Sequence, residues 1–118
     1  MKKPMIAMLC LSLALAAGLL VAQDKGKGKG KGGAGDAAKG KEAFASNCMV
    51  CHSPDTETRL VGPGLKDLFK RAKLVNDQAM SDAAVTALIN AGGNGMPGFG
   101  DLLTAPEKAD ILAYLKTL

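Results

Sequence analysis

Residues 48–52 read Cys-Met-Val-Cys-His, and this pentapeptide holds the chain's only histidine and two of its three cysteines. The third, Cys10, lies in an apolar run near the N-terminus. The concentration of sulfur and imidazole in one turn matters because the rest of the chain is poorly equipped to fold unaided. It has 118 residues, no Trp, and only Phe44, Phe69, Phe99 and Tyr114 as aromatic side chains. A domain this short buries a smaller share of its surface than a larger one and calls for a further source of stability, which a covalently held apolar group would supply. There is room for one compact domain, not two.

Residues 1–22, MKKPMIAMLCLSLALAAGLLVA, carry Lys2 and Lys3 ahead of an apolar run that ends in small residues. This is the pattern of a secretory signal, with cleavage expected after Ala22 and residues 16–18 as other candidate sites, and it points to export into a periplasm or similar compartment. The alternative is an uncleaved anchor, since residues 4–22 approach the roughly 20 apolar residues that span a bilayer. Cys10 lacks a small residue immediately before it, as a lipidated cysteine would need, and reads as one more apolar residue of the signal. Residues 23–35, QDKGKGKGKGGAG, have almost nothing to bury and read as a disordered linker, so that residues 36–118 form the folded domain.

The formal charge of +4 belongs to these front segments. Residues 36–118 hold seven Lys and two Arg against ten Asp and Glu, a net charge of −1. A nucleic-acid-binding domain would carry its basic residues on a folded face, so nucleic acid is not an expected partner. The four lysines at 25, 27, 29 and 31 read first as part of a solvated spacer; the alternative is contact with an anionic surface, or a tether if the front segment stays in a membrane, through residues 1–31.

From Asp36 onward the pattern is helical and no strand is expected. Asp36 caps AAKGKEAFASNC. After the Gly62-Pro63-Gly64 turn, LKDLFKRAK places Leu65, Leu68 and Phe69 on one helical face. Ser81 caps DAAVTALINA, which turns Val85, Leu88 and Ile89 inward and stops at Gly92. Thr104 and Glu107 form a capping box, with Pro106 in the first turn, for a last helix through Ile111, Tyr114 and Leu115. The expected class is all-α, with about four helices.

Cys-x-x-Cys-His is the attachment signature of c-type haem. Two sulfurs on one turn reach the two vinyl groups along one porphyrin edge, and the following histidine is carried under the iron. The other readings each make a demand. A thioredoxin-like dithiol calls for a βαβ pattern, a structural zinc site for four ligands, and a plain disulfide leaves His52 without a role. Haem iron that shuttles electrons without binding substrate takes a second axial ligand, and a methionine there raises the potential. Met49 lies inside the attachment loop and Met80 precedes a helix cap, as a gap-filling methionine would. Met96 lies in GGNGMPGFG, where glycines let the backbone swing a thioether toward a flat cofactor, although an ordinary loop methionine packed on the core is the plainer alternative.

Over residues 36–118 the chain resembles the class I cytochromes c, and their small bacterial members most. The resemblance rests on Gly40 and Phe44 of the first helix, Tyr114 of the last, Cys48, Cys51 and His52, the Gly62-Pro63-Gly64-Leu65 turn, and Met96-Pro97. It implies a small cytochrome c fold wrapped around one covalent haem c per chain. Cys48 and Cys51 would be its anchors, His52 and Met96 the axial ligands of the iron, and the Pro63 carbonyl the acceptor for the other His52 ring nitrogen. It implies a monomeric, non-enzymatic one-electron carrier that docks transiently with a redox donor and acceptor. The alternatives are a membrane-tethered haem relay of a larger redox complex, or a haem peroxidase or gas sensor if Met96 is not on the iron. No side chain is evident in the sequence as partner for the haem propionates.

Overall fold

The computed structural model describes residues 34–118; the expected signal over 1–22 and all but the last two residues of the expected linker lie outside them. Three α-helices form where the caps predict them: α1 (Ala37–Asn47), α2 (Asp82–Ala91) and α3 (Ala105–Leu115). Among the described residues there is no strand beyond two isolated bridges, Lys73 with Ala79 and Gly93 with Met96. The all-α class therefore stands.

Asp36 accepts from the Ala38 and Lys39 amides at the start of α1. Ser81 accepts from Ala84 at α2, and Thr104 with Glu107 closes a reciprocal box at α3. These side chains take up amides that no helical carbonyl can reach.

The expected helix over residues 65–73 is not formed. Only a 3-10 turn, Leu68–Lys70, is present, preceded by Asp67 in the left-handed region at φ 56°. Leu68 donates to the Leu65 carbonyl and Lys70 to that of Asp67, both three residues back. The Arg71 guanidinium meanwhile takes the Gly64 and Lys66 carbonyls at 2.9 and 2.6 Å, acceptors that an α-helix would use for its own ladder. A spacing of three, Leu65 to Leu68, buries both side chains in a 3-10 turn as well as in an α-helix. The four expected helices thus resolve into three and one tight turn.

α1 and α3 make the most extensive helix contact, with α2 resting more lightly on α3. Their close approach depends on Gly40, where an added Cβ would lie 1.9 Å from the Asp110 carbonyl oxygen and 2.9 Å from the Tyr114 Cβ. One turn on, Phe44 and Tyr114 meet with ring centroids 5.4 Å apart and planes tilted by 60°, an arrangement worth about 1 kcal/mol beyond the area it buries. The Asp36 amide donates to the Asp110 carboxylate at 2.7 Å and ties the start of α1 to the middle of α3. Phe44 and Ile111 are the most deeply buried large side chains. The end of α1, which leads into Cys48, is thereby fixed against the rigid part of the molecule.

Candidate haem site

The core is built around a cavity of about 390 Å³, within the roughly 300–1,000 Å³ typical of cofactor sites. Its walls are core side chains, among them Phe44, Leu68, Val85, Ile89 and Ile111. Protein interiors ordinarily close over spaces much larger than a water, so an apolar chamber of this size is a built binding site.

One wall is the 48–52 turn. As α1 ends, the Cys51 and His52 amides both donate to the Cys48 carbonyl, curling the chain so that Cys48, Cys51 and His52 all line the cavity. His52 Nδ1 lies 2.8 Å from the Pro63 carbonyl oxygen. Acting as donor there, it leaves Nε2 as the ring nitrogen available to a metal. Gly62 packs against the same ring, and a Cβ there would fall 2.4 Å from His52 Cε1. Its amide donates to the Cys51 carbonyl at 2.8 Å, closing residues 51–62 into a loop that seats the imidazole.

The two cysteines are free thiols, and burial, reinforced by neighbouring Cys51, pushes the Cys48 thiol up to about 11. At neutral pH Cys48 is protonated, the reverse of the lowered pKa that marks a reactive dithiol. Among the described residues no three His, Cys, Asp or Glu side chains are grouped to hold a metal ion, so the zinc reading lacks its ligands. Two thiols and an imidazole on one turn beside a deep apolar chamber fit a haem held by its edge.

Another wall is the segment after α2. Gly92, Gly93, Asn94 and Gly95 have φ of 69°, 135°, 54° and 88°, four successive residues on the side of backbone space that glycine enters freely and asparagine tolerates. The reversal returns Met96 to Gly93, the two exchanging backbone hydrogen bonds at 2.9 and 3.0 Å. Met96 and Pro97 line the cavity, whereas Met49 and Met80 do not. Met49 is 45% exposed and Met80 packs at the edge of the core.

The structure thus brings Cys48, Cys51, His52, Pro63 and Met96 to one cavity from three separate segments. It also brings there three cations that sequence reasoning did not single out, Arg59, Arg71 and Lys73. Their only sequence signal is positive charge, and Arg71 and Lys73 lay in the stretch read as an ordinary helix. Around the mouth, Val50, Val61 and Val75 line the cavity yet remain 79%, 72% and 57% exposed.

A family model described as cytochrome c oxidase, cbb3-type, subunit III matches residues 35–115. The chain is similar to cytochrome c6 of Rippkaea orientalis, at 40% identity over 82 residues covering 70% of each chain. It is also similar to cytochrome c6 of Diacronema lutheri, at 31% identity over 69% of this chain and 94% of that one. Among solved structures, cytochrome c6 from the diatom Phaeodactylum tricornutum superposes with a TM-score of 0.58 at 25% identity, covering 70% of this chain and 93% of that one. With a fold, a cavity and a sequence that all agree, this chain belongs to the cytochrome c family as a small class I, single-haem member.

Proposed function

We propose that the protein is an exported, monomeric one-electron carrier whose haem c is anchored by Cys48 and Cys51 and ligated by His52 and Met96. The observation that carries this reading is the cavity itself, which has the His52 ring in one wall and the Met96 segment in another. When bound, haem supplies a ferrous/ferric couple, and the chain supplies attachment, orientation and burial. Cys48 and Cys51 would hold the group through thioethers, each thiol S–H adding across a vinyl double bond with no leaving group. The Pro63 carbonyl holds the His52 tautomer that keeps Nε2 free for iron. Met96 would be the second ligand to the iron, and with both ligands supplied by the chain the protein would act as a carrier rather than an enzyme.

Arg59, Arg71 and Lys73 supply the positive charge that the haem carboxylates require. Arg71 also braces the Gly64 carbonyl, next to the one that orients His52. The exposed valines at the mouth form an apolar rim on which a redox donor or acceptor docks briefly, close to the haem edge. The N-terminal pattern supports a periplasmic or other exported location, and among the described residues no helix is long and apolar enough to cross a membrane.

The test is the mass and absorption spectrum of the protein expressed with haem-attachment machinery. Expected are one haem per chain surviving denaturation and sharp reduced bands that disappear reversibly on oxidation. A colourless protein, or haem that is released on denaturation, contradicts the reading.

A further inference from the structure

We infer that Lys108 is a positioning residue for Met96: its ammonium locks the Met96 segment to α2 and α3. The inference rests on Met96 being the distal ligand. Lys108 leaves α3 and donates from Nζ to the Asn90 side-chain oxygen at 2.9 Å and to the Gly100 carbonyl at 3.0 Å. Asn90 lies in the last turn of α2 and Gly100 ends the segment that carries Met96, so one charged group joins three elements. The last turn of a helix is also where a cation is favoured by the backbone dipole.

The segment meets the end of α2 at this point. The Phe99 amide donates to the Ile89 carbonyl at 2.8 Å and that of Gly100 to the Asn90 carbonyl at 3.1 Å. These are carbonyls at the end of α2 with no further helical turn to satisfy them. Glycine permits the approach, since a Cβ at residue 98 or 100 would lie 2.8 or 3.1 Å from the Asn90 oxygen. On the other side of Met96, Gly92 donates to the Leu88 carbonyl at 2.7 Å. Both feet of the segment therefore stand on one short helix, α2, which itself rests only lightly on α3. Two lysines link that assembly to α3, the helix that packs against α1 and so against the Cys48–His52 turn: Lys116 pairs with Asp82 at the start of α2, and Lys108 alone of the two reaches the end of α2 and the Met96 segment. Its loss leaves α1, α3 and their shared core intact while freeing the distal wall to open locally.

The experiment compares the holoprotein with Lys108→Met, which keeps the apolar stem, and with Asn90→Ala, which removes one acceptor and leaves the lysine in place. Two readouts are followed on heating: the far-red ferric band of a sulfur ligand, and the helical circular dichroism. Amide exchange of Phe99 and Gly100 is followed at constant temperature. In both variants the band is expected to vanish well below the temperature at which helix is lost, and the two amides to exchange roughly tenfold faster, with the amides of α1 unchanged. A band and helix lost together, or exchange unchanged at residues 99 and 100, overturns the positioning role. A parent protein without the far-red band overturns the ligand reading itself, and this inference with it.

Discussion

The two walls of the haem cavity are built by different means. The wall carrying His52 is made of contiguous chain: one helix end, one turn, and a carbonyl eleven residues on at Pro63. The wall carrying Met96 is made of backbone conformations that almost only glycine adopts, held in place by carbonyls of α2 and an ammonium from α3. The first rests on a helix pair packed through Gly40, Phe44 and Tyr114, the second on hydrogen bonds that can open locally. On the proposed ligation, His52 would be held by local chain and Met96 by hydrogen bonds that can open locally, and the potential would be tuned at the second.

The largest expected effect is on the first wall. Replacing Cys48 and Cys51 together by serine leaves a protein that loses all haem on denaturation, measured by mass, where the parent retains it. Next is Gly62→Ala, whose Cβ collides with the His52 ring. It weakens the histidine–iron bond by roughly 10–100-fold, as disruption of the shell around a metal ligand typically does, visible as high-spin character in the reduced spectrum.

Gly95→Ala probes the second wall by backbone alone. A Cβ there meets nothing within 4 Å, but φ is +88°, so the cost is conformational, about 1–2 kcal/mol, and shows as earlier thermal loss of the far-red band. The smallest effect lies outside both walls. Thr104→Ala removes the cap of α3 and lowers global stability by about 1 kcal/mol in a denaturant titration near neutral pH. Hydrogen bonds from Thr104 hold the Glu107 carboxyl below the usual range. The part of that stabilisation carried by the Thr104 hydroxyl is present above the ordinary carboxylate pKa and lost as pH falls through the depressed one, so the difference between parent and variant narrows on acidification but persists, because the hydroxyl still accepts from the Glu107 amide in the parent. Equal sensitivity of the Met96 band to Gly95→Ala and Thr104→Ala would erase the contrast between the walls.

Much of this was legible in the sequence, because the features are local. The three helix caps, the Cys48–His52 turn and the glycine run before Met96 each act within a few residues, where periodicity and turn chemistry apply. The stretch 65–73 was misread because Leu65 and Leu68 satisfy two kinds of helix equally. The deciding group, Arg71, acts by claiming the carbonyls of Gly64 and Lys66. Arg59, Lys73 and Lys108 gave no signal for the related reason that their roles depend on contacts between distant segments. Lys108 reaches Asn90 across 18 residues, and no spacing rule foretells such a contact.

The central claim is that the cavity holds iron between His52 and Met96. The most direct measurement is the ferric absorption spectrum and reduction potential of the parent beside Met96→Ala at equal haem content. The account predicts a far-red band in the parent that is absent from the variant, together with a lower potential in the variant, since methionine ligation raises it. An unchanged spectrum and an unchanged potential would contradict the account.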